Sequence, residues 1–257
     1  MEYRGAMAKI PKTENILTKS KLIENNEIQP RRSPRIMGAA AKENNKTKVV
    51  KPVLVLSEIL FEGKINYADT FGDCAMACDE VLQLVEKKTD LIVPIGFDLE
   101  WPFSFQTGSG KTALIQICMD YKICHLLHVY ELKKLPAALV ELLIHPKVRL
   151  VGVNIKNDIW KLGRDFKEFP SQKVVENNCI DCGTFANATL NRSCRWSMAN
   201  LTAYVLQKEI SKDPKVRRSK WHIQPLSDAQ KSYAATDAYV SLLLYNTLQD
   251  KANENAS

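Results

Sequence analysis

The sequence predicts an α/β fold: a mixed β-sheet with helices on both faces, preceded by a polar, basic tail. Three observations carry this. Short apolar, strand-like runs come first and then alternate with amphipathic helical segments, the order expected of a mixed sheet covered by helices. The apolar fraction of 45% and charged fraction of 25% are those of an ordinary globular chain. The net charge of +7 is unevenly placed. Residues 1–52 hold 12 Lys/Arg against 5 Asp/Glu, whereas the remaining residues hold 24 of each.

Two domains follow. Residues 1–52 are rich in Lys, Arg, Asn and Glu, with few large apolar side chains and no sustained period. Such a segment cannot bury enough surface to offset its ordering entropy, so the reading is a disordered basic tail. Within it, Ser33 sits in RRSPR (31–35), a possible phosphosite or import signal against the plainer account of a solvated linker. Residues 53–257 form the globular domain. Met1 is followed by charge and polarity, and no run approaches the ~18 apolar residues of a membrane span, so no membrane partner is expected. Seven cysteines without regular spacing argue for reduced thiols in an intracellular protein.

Element by element, VLVLSEILFEGKINYA (53–68) alternates as hairpin-like strands, and CAMACDEVLQLVEKK (74–88) has a helical period. DLIVPIGFDLEW (90–101) is a buried strand in which Pro94 suggests an edge or bulge. TALIQICM (112–119) and KICHLLHV (122–129) are strands joined by a turn at Asp120-Tyr121. PAALVELLIHP (136–146) is a helix bounded by prolines. RLVGVNI (149–155) is a strand, NDIWKLGRDF (157–166) a helix and WSMANLTAYVLQ (196–207) a helix. The last helix, 227–250, opens with Ser227 and Gln230 at capping-box spacing.

The stretch GFDLEWPFSFQTGSGKT (96–112) poses a choice, because GSGKT looks like the end of a nucleotide-binding P-loop while DLE looks like a metal site. A P-loop needs a glycine five positions before Gly110, and that position is Phe105. It also needs a following helix, and TALIQICM reads as a strand. GSGKT is therefore a turn, with Gly108 and Gly110 free to take positive φ. DLE is different. In a strand, Asp98 and Glu100 point to one face, and two bare carboxylates side by side are unfavourable without a cation. Alone, they are most simply surface acids closing a strand. Asp158, between a strand and a helix, and Asp237, mid-helix where Asp is a poor former, change that weighting. Tyr233 lies four residues before Asp237, on the same helical face. Together these residues make a four-acid cage for hard divalent ions such as Mg²⁺ or Mn²⁺.

DLE, GVNIKND (152–158) and YAATD (233–237), in this order and at these distances, resemble the DEDD superfamily of 3′→5′ exonucleases, and Tyr233-x-x-x-Asp237 matches its tyrosine subclass. The resemblance runs from about Leu60 to Leu248. Within the superfamily, GFDLEWP, TALIQIC, WKLGRDF, KVRRSKW and QKSYAATDAY look most like the Werner syndrome exonuclease domain, with no helicase following. It implies an RNase H-like (DnaQ-like) fold and removal of 5′-nucleoside monophosphates from DNA 3′ ends, recessed or single-stranded, in genome maintenance in the nucleus. A RecQ-type helicase acting in trans is a partner consistent with it. The alternative is an RNase D-like RNA exonuclease, since the same cage cuts either backbone. By the resemblance Asp98, Glu100 and Asp237 bind one metal ion, Asp98 a second, Asp158 acts mostly through water, and Tyr233 orients or deprotonates the attacking water.

The same pattern implies that backbone and apolar groups at Leu99 and Trp101 wedge the terminal nucleotide. Trp160 is either a stacking platform for a base or a core aromatic. Arg195, Lys215, Arg217 and Arg218 belong to eight Lys/Arg between Arg192 and Lys220. In an otherwise balanced domain these read as a phosphate-tracking patch rather than a solvated loop. Cys179 and Cys182 are only two thiols, and His125 and His128 fall on opposite faces of a strand, so structural zinc is not expected.

Overall fold

The computed structural model describes residues 56–211 and 213–256. The basic tail with Ser33 lies outside them. The first elements are β1 (Ser57–Glu58), β2 (Lys64–Ala68), α1 (Phe71–Lys87), β3 (Val93–Glu100), β4 (Phe103–Ser104), β5 (Gly108–Ser109), β6 (Leu114–Cys118) and β7 (Ile123–His128). Then come α2 (Ala137–Ile144), β8 (Val148–Gly152), α3 (Ile155–Asp165), α4 (Ser171–Asn177), β9 (Cys179–Asp181) and α5 (Cys182–Thr189). The chain closes through α6 (Met198–Leu206), β10 (Lys208–Glu209), α7 (Pro214–Arg217) and α8 (Asp228–Ala256).

Six strands form one mixed sheet in the order β2-β7-β6-β3-β8-β9. β6 runs antiparallel to both its neighbours, while β3, β8 and β9 are parallel. Alternation along β3 explains the two layers. Ile95, Phe97 and Leu99 point into one apolar core with Val81 of α1, Leu139 of α2, Ile159 of α3 and Val174 of α4. The other face carries a second core built with Ala186 of α5, Leu201 of α6 and Ala238 and Leu242 of α8. Each fully buried aliphatic side chain contributes roughly 1.5–3 kcal/mol of gross transfer free energy.

α8 positions the site. It begins with the expected capping box, in which the Ser227 N–H donates to Gln230 Oε1 at 3.0 Å and the Gln230 N–H donates to Ser227 Oγ at 3.3 Å. It then crosses β3 with the small residues Ala234, Ala235 and Ala238, all buried. At the crossing a Cβ on Gly96 would overlap the Ala238 carbonyl and lie 3.0 Å from Leu242 N. Backbone packs on backbone here, and no other residue type leaves the room.

The structure revises several expectations. β1 and β2 do not form a hairpin: β1 pairs with β10 outside the main sheet, and β2 pairs in parallel with β7. Pro94 lies in a central strand, yet it is edge-like in a local sense. β6 pairs with β3 only over Gly96–Glu100, while Val93–Ile95 pair with β8 alone. The Val93 N–H donates to Lys147 O, toward β8, so the donor that Pro94 lacks would face the side where β6 has ended. Gly108 has φ 78°, as expected, but Gly110 has no positive φ. Gly110 is needed for space, because a Cβ there would meet Pro102 Cγ at 2.8 Å.

Gly96→Ala forces α8 off β3. It is expected to cost ~1–3 kcal/mol, as overpacking does, and to weaken Mn²⁺ binding, because Asp237 follows the helix. Urea denaturation and calorimetric Mn²⁺ titration check both; unchanged values would mean that the crossing has slack.

Candidate metal centre

β3 ends with Asp98 and Glu100 on the α8 face, and α8 brings Asp237 over them. Carboxylate oxygens of these three residues lie within 4.8 Å of one another. The helix around Asp237 is tied down. Ser241 Oγ donates to Asp237 O at 2.9 Å, and Thr236 Oγ1 accepts the Phe61 N–H at 3.1 Å. Asp158 stands outside the triplet, in the first turn of α3, although its charge acts on Glu100 and that of Asp98 acts on it.

The turn carrying Asp158 depends on a residue that the sequence reading missed. Asn154 precedes α3 in a left-handed conformation (φ 61°), which Asn tolerates better than most residues. Its N–H donates to Asp181 Oδ2 at 2.6 Å, while Asp181 Oδ1 accepts the Thr184 N–H at 2.8 Å and caps α5. One carboxylate therefore anchors two helix starts. An Asp before a short helix was a visible signal for the cap; its grip on Asn154 was not.

Electrostatics define the site. Burial, more than any neighbour, raises the pKa of every member. Asp98 is pushed up to about 7. Asp158 is pushed up to about 8, with Asp98 and Asp181 adding to burial. Glu100 and Asp237 are raised well above the usual carboxylate range, again by burial first and then by Asp98. The Tyr233 phenol, which interacts with the Asp237 carboxylate, is raised by burial and then by Asp237, Glu100 and Asp98. With no metal ion in the cage, this shift favours the protonated phenol. Among the described residues no salt bridge reaches these carboxylates. Crowded, partly buried oxygen donors with no ion-pair partner among the described residues fit hard divalent ions. The larger surface groove, lined by Phe71, Leu135, Ile144, Phe166 and Phe169, contains none of them.

A clamp holds the end of β3 against α3. Lys161, 4% exposed, donates to Gly110 O at 2.6 Å and Asp165 Oδ2 at 3.0 Å. Its ammonium lies 4.8 Å from the Trp101 ring centroid, so Trp101 is held between the cage strand and the Asp158 helix. Asp165 Oδ2 also accepts from Thr112 N–H at 2.7 Å and from Thr112 Oγ1 at 2.6 Å. Lys111 Nζ donates to the carbonyls of Tyr130 at 2.7 Å and Leu132 at 2.6 Å. GSGKT is thus a structural clip.

Of the residues expected to touch nucleic acid, Leu99 is a correction. Its side chain is 3% exposed in the core opposite the acids, because alternation along β3 sends it there, so only its backbone is left to meet a nucleotide. Trp160 is 41% exposed, which removes the core alternative. Arg195, Lys215, Arg217 and Arg218 are all exposed. Trp221, at the end of the basic stretch, is wholly buried. His125 and His128 do face opposite ways: His125 pairs with Asn66 and His128 with the Trp221 carbonyl.

Fold and cage together define the class: an RNase H-like α/β domain with acids gathered at the end of its central strand. The chain belongs to the 3′-5′ exonuclease family, whose profile matches residues 73–253. It is 49% identical over 191 residues to a 3′-5′ exonuclease of Drosophila melanogaster, covering 74% of this chain and 54% of that protein. A 3′-5′ exonuclease of Drosophila ananassae is 46% identical over 193 residues, covering 75% and 54%. The chain spans about half the length of the curated relatives it matches, 54% in both cases. Similar solved structures include Escherichia coli RNase D (TM-score 0.59, 20% identity, 75% of this chain and 46% of that chain). The catalytic core of RRP6 from Trypanosoma brucei (TM-score 0.57, 20% identity, 78% and 51%) and Brucella melitensis NrnC (TM-score 0.54, 17% identity, 76% and 84%) are similar too. At these identities the likeness is one of fold.

The raised carboxylates set a pH dependence. An acid whose folded pKa exceeds its unfolded value of ~4 holds its proton more tightly when folded, so it favours the fold at low pH and that advantage is lost as pH rises. With Asp98 near 7 and Asp158 near 8, the loss falls between about pH 4 and pH 8. The melting temperature of the chelated protein is therefore expected to fall across that window. Mn²⁺ added at the alkaline end should restore it, while Asp98→Asn should raise the chelated value and blunt the metal response. A flat chelated profile in differential scanning calorimetry would contradict this.

Proposed function

We propose that the chain is a metal-dependent 3′-5′ exonuclease that releases 5′-nucleoside monophosphates from DNA 3′ ends. The observation that carries this reading is the Asp98, Glu100 and Asp237 triplet with the Tyr233 phenol beside Asp237, in a chain of the 3′-5′ exonuclease family. Asp98, Glu100 and Asp237 are the ligands for one divalent ion, and Asp98 with Asp158 serve a second. Two such ions, Mg²⁺ or Mn²⁺, supply charge stabilisation for the attacking and leaving oxygens of an in-line displacement. The position of Asp158 outside the triplet suits a ligand acting through water.

The chain's own groups do the rest. Tyr233, held protonated, donates to Asp237 and offers its oxygen to orient the attacking water. Trp101, braced by Lys161, walls the cleft beside Glu100, and the exposed Trp160 face offers a terminal base a stacking surface worth ~1–3 kcal/mol. The exposed Arg195, Lys215 and Arg218 suit phosphates of the following strand.

DNA is favoured over RNA by the Werner-type features Trp101-Pro102 and the basic insert between α6 and α8. The nucleus, genome maintenance and a helicase acting in trans complete this reading. A second reading, an RNA exonuclease, is supported by the fold neighbours, since E. coli RNase D is an exoribonuclease involved in structured RNA processing.

A 5′-labelled duplex with a recessed 3′ end and a matched RNA strand, each with Mg²⁺ or chelator, test both. A metal-dependent ladder on DNA, lost in Asp98→Ala, is the expected result. A ladder on RNA alone would transfer the chain to the second reading, and none on either would refute both.

A further inference from the structure

Two of the seven cysteines face each other across the sheet. Cys118 and Cys124 are register partners on the antiparallel strands β6 and β7, and both are buried and free. The kind of rung they occupy follows from the ladder. The Val129 N–H donates to Ala113 O at 2.8 Å, so these two residues form a hydrogen-bonded pair. Alternation then makes Cys118 and Cys124 a non-hydrogen-bonded pair, the type in which opposed Cα atoms stand about 4.5 Å apart. A disulfide spans Cα separations of roughly 4.4–6.8 Å, so this rung lies within reach of a bridge, at the short end. The thiols are already neighbours. A hydrogen bond to Cys118, ahead of burial, raises the pKa of Cys124, and Cys118 Sγ donates to Asp120 O at 3.0 Å.

The pair is the last rung of the β6–β7 ladder, and the bend beyond it, Asp120 to Lys122, is exposed. Burial keeps the closed pair inert, but the end rung of a hairpin opens at lower cost than the strands behind it. The pair also lies beneath α8, in the same core as Ala238 and Leu242. By the same alternation, the backbone groups of Cys118 turn away from β7 toward β3. Its register partner there is Gly96, the residue whose Cβ would overlap the Ala238 carbonyl. A second tie runs from the bend. The Tyr121 ring meets the Tyr239 ring of α8 edge-on at 5.8 Å, and Asn246 of α8 donates to Tyr121 OH. Ala238 and Tyr239 directly follow Asp237, so both ties reach α8 next to its metal-binding acid.

We propose that Cys118 and Cys124 are a redox site: peroxide closes them to a cross-strand disulfide, and the closure weakens metal binding at the cage. The second half rests on the metal centre of the reading above. In the first step one thiol gives up its proton and its sulfur attacks peroxide. The O–O bond breaks, and the hydroxide released takes that proton and leaves as water. The second sulfur then attacks the sulfenic acid so formed. The S–S bond forms, the S–O bond breaks, and hydroxide leaves as water with the second thiol proton. Two thiols lose two protons and two electrons, and one peroxide becomes two waters. Bonding draws the sulfurs to about 2.05 Å and ends the donation of Cys118 to Asp120 O. A rung at the short end of the disulfide range closes by twisting β6 against β7. That twist arrives at Gly96, where the contact with α8 leaves no room, and Asp237 moves with the helix.

The test takes the full chain, reduced and desalted, and exposes it to hydrogen peroxide with chelator present to exclude metal-driven oxidation. Tryptic digestion without reductant is expected to yield peptides 112–122 and 123–133 joined through Cys118 and Cys124, and dithiothreitol should separate them. After desalting, calorimetric Mn²⁺ titration of the oxidised protein should show affinity lower by about fivefold or more, the lower end of coupling between two sites. Reduction with dithiothreitol, then its removal, should restore that affinity. Cys124→Ala treated alike should keep its affinity, whereas Cys194→Ala, which removes the exposed thiol, should respond as wild type. The inference is overturned if the two peptides stay unlinked, or if they link and Mn²⁺ affinity does not change. It is overturned equally if Cys124→Ala loses affinity to the same extent under peroxide. The linkage is read by mass and needs no metal. A reduced wild-type protein that binds no Mn²⁺ would therefore refute the metal centre itself, and the effect of closure with it.

Discussion

The close passage of α8 across β3 at Gly96 is the constraint on which the site depends. Two backbones meet where no side chain fits, and that contact sets how near Asp237 comes to Asp98 and Glu100. Three carboxylates within 4.8 Å of one another is a costly arrangement, and no local preference of either element would create it. The helix brings the cost because the rest of its buried surface, Val240, Leu242, Leu244 and Leu248 among others, holds it there. Packing energy spread over a long helix is thus concentrated into the placement of one acid.

The second support is polar. Lys161, Asp165, Thr112 and the Gly110 carbonyl form a buried cluster that joins α3 to the segment between β5 and β6. Because Lys161 is four residues before Asp165 and three after Asp158, the ion pair also sets the rotation of the helix that carries Asp158. A buried charge left without its partner is strongly penalised, so such a cluster resists sliding in a way an apolar contact would not. The tail of GSGKT therefore has a mechanical role at the edge of the cage, although it binds no nucleotide by its own pattern.

Charge gives the site its chemical character. Burial and mutual repulsion hold the carboxyls toward their protonated forms, and divalent ions relieve both. The same field raises the pKa of the Tyr233 phenol and favours its protonated form while the cage is without cations. A family member with this cage stores instability at the place where its ligands bind, which is the usual relation between a functional site and the fold around it.

The residues that bear chemistry were legible in the sequence because their types and spacings are unusual: paired acids ending an apolar strand, an Asp in mid-helix, a Tyr one turn before it. The capping box, the helix of 137–144 and the antiparallel pair of strands at 114–128 were legible for similar local reasons. Leu99 and Gly110 were misread because a spacing rule says nothing of which face is buried or which neighbour crowds a backbone. The hold of Asp181 on Asn154 and that of Lys161 on the Gly110 carbonyl were invisible, since each is a relation between segments far apart in the chain. The sequence by itself determined the donor atoms and the periodicities that make the strands and helices. Only the tertiary structure decided which donors meet, because distances across a sheet are set by packing and not by position along the chain.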